Sequence, residues 1–319
     1  MIKRLILSLL IVFGSFTIPP VEAGAIANYA RPSSSDQTSS RVVALPVSND
    51  QTSSRVIALP DIQIIHLNGK MDVKIISGLT DHDVRFIGGR SAVSQVQTRI
   101  HGRQLELIAP RYTREPFTVI IRVAQLYELA FVGKGDLEAI DMDTPQLKLN
   151  LQNQGNVKLS AQHMGVNALI ATGSGSITLS GVDSQQFVAN ITGTKKVILT
   201  GKVAVQNLKL SGKTWFSAQW VQGSYCKVAA TGYAQAQLAG KVGTFEMTLR
   251  QGAKVDAQYL RANDTYIKTY DFALAMVQTS RHQYTLARDS SNIYYYKTPF
   301  FQADLMSGAG SVLDFDGMA

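Results

Sequence analysis

Two acidic residues and a histidine recur at one fixed spacing and are candidates for metal chemistry. Asp143, His163 and Asp183 follow one another at equal intervals in the sequence. If each lies on one turn of a stacked-repeat fold, the histidine sits between two carboxylates, each roughly 4.8 Å away. Such a set binds a metal ion or raises the pKa of the histidine. The alternative interpretation is a column of solvated loop residues.

A lysine and a tryptophan form a candidate ligand-binding pair. Trp215 follows Lys196 by one repeat and precedes Phe216, which the pattern places inside the fold. An outward Trp215 beside Lys196 would stack on a sugar ring, whereas packing beneath a neighbouring loop is the alternative. A polar outward column would offer a flat face for polysaccharide or simply a surface compatible with strands. This column reads Gln152, Thr172, Thr192, Ser211 and Thr231.

Both candidates depend on a sequence repeat with a period of about 20 residues, which is typical of stacked-repeat folds. Its first apolar column is Leu129, Leu149, Leu169, Ala189, Leu208, Val228, Met247 and Ile267. A second apolar column follows two positions later, which is strand periodicity, and a corner rich in glycine follows that. The pattern predicts an all-β, single-stranded, right-handed parallel β-helix of about eight or more rungs. N-terminal hairpins lead into it, and a C-terminal β cap closes it.

An antiparallel sandwich is the alternative fold, but it gives no reason for one register across eight repeats. A regular column mainly reports what stacking requires. We therefore expect function where the repeat loses one position, around Leu208 and Met247, or in the irregular caps.

The chain divides into three predicted parts. Residues 1–23 form a signal peptide, in which Lys3 and Arg4 precede an apolar run too short to span a bilayer. Residues 24–60 form a disordered low-complexity linker that contains a tandem repeat with an offset of 14. Residues 61–319 form the repeat domain, with leading strands at 61–125, regular rungs at 126–270 and closing strands at 271–319. No transmembrane segment is expected after signal cleavage.

The net charge indicates the class of partner, and the cysteine count indicates the thiol chemistry. The formal net charge is +8. A basic exported protein associates with polysaccharide, lipopolysaccharide or another envelope surface, although scattered basic residues also fit an ordinary solvated surface. We expect no nucleic-acid partner and no cofactor. The sequence is compatible with a homo-oligomer as well as with a monomer. Cys226 is alone and is interpreted as a packed, inert thiol.

Three stretches of the chain resemble the head GIN domain family of bacterial auto-transporter adhesins, a domain of unknown function. They are the strands around Ile62–Gly69 with their successors at 72–78 and 104–107, the corner at 172–177, and the closing segment at 293–312. The corners at 194–196 and 213–215 depart from the pattern. The resemblance implies a β-helical envelope protein and supplies no catalytic residues.

The predicted function is therefore an exported, non-catalytic envelope protein, located in the periplasm, on the outer surface or in the medium. An adhesin-like module that binds polysaccharide or a surface is preferred, and a structural envelope protein without a ligand is the alternative. A polysaccharide lyase or hydrolase is disfavoured, because such enzymes cluster carboxylates on one face, whereas Glu246 and Asp256 stand alone in their columns.

Overall fold

The computed structural model describes residues 52–112 and 115–315. These residues form one short helix, α1 (Arg90–Ser94), and twenty strands. The strands are β1 (Thr52–Ala58), β2 (Ile64–Lys70), β3 (Asp72–Ile76), β4 (Asp83–Gly89), β5 (Gln97–His101), β6 (Gln104–Ile108), β7 (Phe117–Arg122), β8 (Glu128–Lys134), β9 (Leu137–Ile140), β10 (Thr144–Gln154), β11 (Val157–Ser174), β12 (Ser176–Ile191), β13 (Lys196–Leu210), β14 (Trp215–Ala230), β15 (Gln235–Leu249), β16 (Lys254–Thr269), β17 (Leu274–Ala287), β18 (Asn292–Tyr296), β19 (Phe301–Met306) and β20 (Ser311–Asp314). The predicted signal peptide and residues 24–51 of the predicted linker lie outside the described residues.

The repeat is a stack of parallel strands around an apolar interior. Leu149 of β10 lies opposite Leu129 of β8 and opposite Leu169 of β11. The same column continues rung by rung to Ile267, and all of its members are buried. The result is a parallel β-solenoid of about nine turns, which confirms the predicted fold class.

Each rung has three sides. The first side precedes the glycine corner, the second side follows it, and the third side is the looser segment that leads to the next rung. In one rung these sides are residues 187–191, 196–200 and 201–203. The long strands β11 to β17 bend between the second and first sides, and the ladder shifts register at most of these bends. The third side is therefore where rungs differ in length.

The glycine corner is required for two independent reasons. Gly193 has φ of 91° and Gly212 has φ of 85°, a region that side chains with a Cβ rarely adopt. A Cβ on Gly193 would also lie 2.5 Å from the carbonyl oxygen of Gly173 in the preceding rung. In the later rungs Gln251 and Asp271 take this position, with φ of 59° and 61°. There the Asp271 carboxylate accepts a hydrogen bond from the backbone N–H of Gln251 at 2.8 Å.

The N-terminal strands differ from the predicted hairpins. β2 pairs in parallel with β8, and β3 pairs in parallel with β9, so β2 and β3 form a rung of the solenoid. β6 and β7 extend the stack beyond β2 and β3, again in parallel. Antiparallel pairing occurs at the outer edge, where β5 pairs with β6 and β4 pairs with β7. The sequence predicted hairpins because two successive strands that meet at a solenoid corner give the same sequence pattern as two strands joined by a hairpin turn.

The end of the predicted linker is ordered. β1 pairs antiparallel with β4 from Thr52 to Ala58, inside the second copy of the tandem repeat. The linker assignment is therefore wrong for these residues. Their Val-Ile-Ala segment pairs with β4. The composition of the linker alone does not indicate this pairing.

The rungs continue beyond residue 270. β18 pairs in parallel with β17 and with β20, and β19 pairs in parallel with β17. The interior changes here from leucine and valine to hydrogen-bonded polar groups. Thr265 Oγ1 lies 2.8 Å from Thr279 Oγ1, which donates to Gln283 Oε1 at 3.0 Å. Among the described residues, β19 has a partner on one edge only.

Candidate functional site

A polar groove lies where the third side turns into the first side, on the rungs of β12, β13 and β14. Its volume is about 770 Å³. Amides and hydroxyls dominate its lining, which consists of Gln185, Gln206, Asn207, Gln222 and Ser224 with Val188, Ala204, Gly223, Tyr225 and Lys227. Among the described residues that line it, none is acidic. We call this depression the polar groove.

A change in the length of the corner creates the polar groove. Val203 lies opposite Val221, and Asn207 lies opposite Lys227. Three residues therefore connect Val203 with Asn207, whereas five connect Val221 with Lys227. The longer corner contains Gly223, with φ of 152°, and projects past the shorter corner of the preceding rung. The groove is the recess that forms where a rung with a short corner stacks on a rung with a long corner.

A hydrogen-bond network fixes one wall of the polar groove. Tyr225 donates its phenolic hydrogen to Glu246 Oε2, and Lys227 Nζ donates to Glu246 Oε1 at 2.7 Å. Glu246 belongs to the next rung, directly opposite Lys227. Because both donors bind one carboxylate, the tyrosine ring and the ammonium group are held in place before any ligand arrives. Preorganisation of this kind reduces the entropic cost of binding.

An unpaired acceptor belongs to Asn207, which also lines the polar groove. Asn207 Oδ1 is buried and, within the described part of the chain, accepts no hydrogen bond. Leaving a buried acceptor unpaired costs about 1–3 kcal/mol. The groove thus offers an aromatic ring, an ammonium group and several amides, which is the chemistry that recognises a hydroxylated ligand.

The electrostatics of the network oppose acid–base catalysis. Hydrogen bonds from Lys227 and Tyr225 lower the pKa of Glu246, so this carboxylate is ionised and cannot serve as a general acid near neutral pH. The hydrogen bond to Glu246 raises the pKa of Tyr225 to about 12, which removes it as a general base. Both shifts favour fixed binding groups over groups that exchange protons.

Lys195 is a buried ammonium group at a solenoid corner. Its side chain is fully buried, and its Nζ donates to Asn153 Oδ1 at 2.9 Å and to the Gly155 carbonyl oxygen at 3.3 Å. Burial lowers the pKa of Lys195 to about 8. Both acceptors lie two rungs below, so this lysine ties three rungs together. The sequence showed it only as a departure from the glycine pattern.

The structure brings the predicted Lys196 and Trp215 together. They lie directly opposite each other on adjacent rungs, and Lys196 Nζ lies 4.8 Å from the centroid of the Trp215 ring. Phe216 is buried, so Trp215 faces outward as predicted. Its ring is partly exposed and the ammonium group covers it in part. Ligand binding by this pair stays a prediction.

The structure does not assemble the predicted metal set. The Asp143 carboxylate accepts a hydrogen bond from the backbone N–H of His163 at 3.0 Å. Register shifts in the third side place Met164 opposite Val182, and Asp183 opposite Lys202 instead of in line with His163. In the described part of the chain, no three His, Cys, Asp or Glu side chains form a group that could hold a metal ion. The predicted column is wrong because an even spacing in sequence does not survive these shifts.

Two exposed aromatic residues near the polar groove were missed. Trp220 is 66% exposed and lies opposite Lys202, two positions before Gln222 on the outward face of the same strand. Tyr225 is 39% exposed and lines the groove. The usable signal was the repeat between Ala189 and Leu208, which is one position shorter than the repeat before it. A shortened repeat indicates that a corner near this rung changes in length.

A family model matches most of the described chain. It is described as "Putative auto-transporter adhesin, head GIN domain", and it matches residues 62–236 and 188–299. The chain belongs to this family. The two matches overlap, as expected where a head GIN domain is built from similar rungs. The family description is that of an adhesin-like surface protein, and it names no enzymatic activity.

Several solved structures are similar to this head GIN domain. One is a putative lipid binding protein from Parabacteroides distasonis, at 14% identity, with 83% of this chain and 96% of that chain covered and a TM-score of 0.41. A putative adhesin from Parabacteroides merdae has 14% identity, 83% and 96% coverage, and a TM-score of 0.42. No curated protein matches the chain. Among the described residues, no helix has the length and apolarity needed to cross a bilayer.

Proposed function

We propose that this protein is an exported, non-catalytic surface protein that binds polysaccharide in the polar groove. The observation that carries the proposal is the fixed Tyr225 ring in a groove lined by amide groups. Sugar rings present apolar faces and many hydroxyls, so aromatic rings and amides together satisfy both. Membership of an adhesin-like family supports a role at a surface.

The chemistry of the polar groove supports binding without turnover. Hydrolysis of a glycosidic bond uses two carboxyl groups on either side of the bond, one of them with a raised pKa. The lining of the groove, as far as the structure describes it, contains no carboxylate, and Glu246 behind it has a lowered pKa. Lys196 and Trp215 would supply a second, weaker contact on the second side.

A polysaccharide array tests this function. The wild-type protein should be retained by at least one bacterial or host polysaccharide, and Tyr225→Ala should lose that retention. Release of reducing ends or of unsaturated products from the retained polymer would contradict a non-catalytic role. Equal retention of Tyr225→Ala and wild type would contradict the assignment to the groove.

A structural role in the envelope is the second candidate, because one observation favours it. The edge strand β19 and the residue before it expose large apolar side chains: Phe300 is 90%, Leu305 60% and Met306 52% exposed. An open strand edge with apolar side chains is a surface for assembly. Light scattering decides between the candidates: a defined oligomer without polysaccharide retention would favour the structural role.

A further inference from the structure

A second depression lies on the third side. Its lining is positively charged, whereas amide groups dominate the lining of the polar groove. Its volume is about 500 Å³, and Lys241, Arg261 and Lys297 supply its charges. Uncharged polar groups of Asn263 and Ser280 also line it. Among the described residues that line it, none is acidic. We call this depression the basic pocket.

Two cations of the basic pocket occupy facing positions on adjacent rungs. Lys241 lies opposite Arg261 on the adjacent rung, and both side chains are exposed. Like charges in register on neighbouring strands repel each other. Beside the polar groove, by contrast, the cation Lys227 lies opposite a carboxylate and binds it, with Lys227 Nζ 2.7 Å from Glu246 Oε1. Within the described residues, neither Lys241 nor Arg261 has an ion pair, so an external anion would relieve the repulsion.

The next rungs complete the basic pocket. Arg261 lies opposite Gln278, whose amide, in the orientation that satisfies both of its polar atoms, places its oxygen 3.3 Å from Lys297 Nζ. Ser280 Oγ donates to the Ala262 carbonyl oxygen at 3.1 Å and lies 3.4 Å from Asn263 Oδ1. Asn263 also lines the pocket and brings an amide nitrogen, which is a hydrogen-bond donor. Three cations and an amide donor around one depression suit an oxyanion.

The basic pocket and the polar groove are neighbours on the third side. Gln222 lines the polar groove, Lys241 lines the basic pocket, and the two residues lie directly opposite each other on adjacent rungs. Their backbones are thus one strand spacing apart, roughly 4.8 Å. A polymer chain lying along the solenoid axis would pass from one depression to the other.

We propose that the basic pocket binds the anionic substituents of an acidic polysaccharide whose chain also occupies the polar groove. The inference rests on the proposed polysaccharide-binding function and specifies its ligand class. The recognised group is a carboxylate or a sulfate on a sugar ring. Lys241 and Arg261 contact it from adjacent rungs, and Lys297 closes the far side.

Matched pairs of polymers test the ligand class. Binding of the full chain is measured for dextran sulfate against dextran, and for polygalacturonate against its methyl ester, by calorimetry at physiological salt. Lys241→Gln/Arg261→Gln is compared with Lys158→Gln/Lys254→Gln, which removes the same charge from the second side. Anionic phosphatidylglycerol vesicles serve as a separate probe.

The expected result is binding of at least one charged polymer, with affinity at least about tenfold above its neutral counterpart. Lys241→Gln/Arg261→Gln should abolish this preference, while the control pair changes it less than about twofold. Equal losses in both double variants would show a non-specific charge effect and overturn the proposal. Binding to vesicles but to no polymer would also overturn it.

The polar groove provides the comparison that separates the two proposals. If neutral and charged polymers bind equally and Tyr225→Ala abolishes both, only the inference about acidic substituents fails. If no polymer of either kind binds to the wild-type protein, the proposed function fails together with it.

Discussion

Tyr225 on one rung donates its phenolic hydrogen to the carboxylate of Glu246 on the next rung. The same carboxylate accepts a hydrogen bond from Lys227 at 2.7 Å. One wall of the polar groove is therefore rigid without a ligand, although it lies beside the loosest side of the solenoid. A residue outside the lining thus sets the positions of two residues inside it.

The tyrosine ring and its hydroxyl should contribute separately to binding. Tyr225→Phe keeps the ring and loses the hydrogen bond to Glu246, so we expect polysaccharide affinity to fall about threefold to tenfold, about 0.7–1.4 kcal/mol. Tyr225→Ala also removes the stacking surface and should cost more than tenfold, about 1.4 kcal/mol or more. Calorimetry with the retained polysaccharide measures both. Tyr233→Ala, which removes an exposed ring outside the groove, should leave affinity unchanged.

Lys195 should make stability depend on pH in the alkaline range. Its pKa is about 8 in the folded protein against an ordinary value of 10.5, so the unfolded chain binds more protons between these values. Stability therefore rises as pH increases from 8 to 10.5, by at most about 3 kcal/mol. Melting temperatures across this range measure the effect.

Lys195→Met removes the titrating group and should flatten that rise relative to the wild type. Lys213→Met, which removes an exposed lysine from a neighbouring corner, should retain the wild-type slope. Parallel slopes in the wild type and Lys195→Met would contradict the assignment of this alkaline effect to Lys195.

Gly193→Ala should destabilise the solenoid more than a glycine substitution at an open position. The new Cβ meets both a φ of 91° and the Gly173 carbonyl oxygen at 2.5 Å, and we expect a loss of at least about 3 kcal/mol. Gly78→Ala is the control, because Gly78 has φ of 78° but nothing within 4 Å of the position that a Cβ would take. It should cost about 1–2 kcal/mol from backbone strain alone. Denaturant midpoints with matched slopes provide the comparison.

Cys226 should be chemically silent in the native protein. It is fully buried, and burial raises the pKa of its thiol to about 12, so almost no thiolate is present or accessible. A thiol reagent should label no cysteine in buffer and one in denaturant. Rapid labelling under native conditions would show that the rung around Cys226 opens readily.

The fold could be predicted because its strongest signal is a single period. Leu129 and Leu149 are one repeat apart in sequence and lie directly opposite each other, as the apolar column requires. The pairing of Lys196 with Trp215 followed from the same count, since the second side carries no register shift between them. Interior positions on the first and second sides are thus readable from spacing alone.

The site was harder to predict because it depends on where the period fails. Asp143, His163 and Asp183 satisfy the spacing in sequence, yet shifts in the third side move Asp183 out of line with His163. The polar groove arises from a corner that is two residues longer than the corner below it, and its lining comes from three rungs. The spacing shows that one repeat is shorter near Leu208. Only the coordinates show on which side of that rung a groove forms.

The stacking of rungs has a mechanical consequence for a protein at a surface. The ladder hydrogen bonds point along the solenoid axis, and each rung contacts chiefly its immediate neighbours. Tension applied between the two ends therefore loads these bonds in series, rung after rung, instead of sharing the load among many at once. Under pull the molecule would peel one coil at a time from its weaker end, lengthening in small steps while the remaining coils keep their shape.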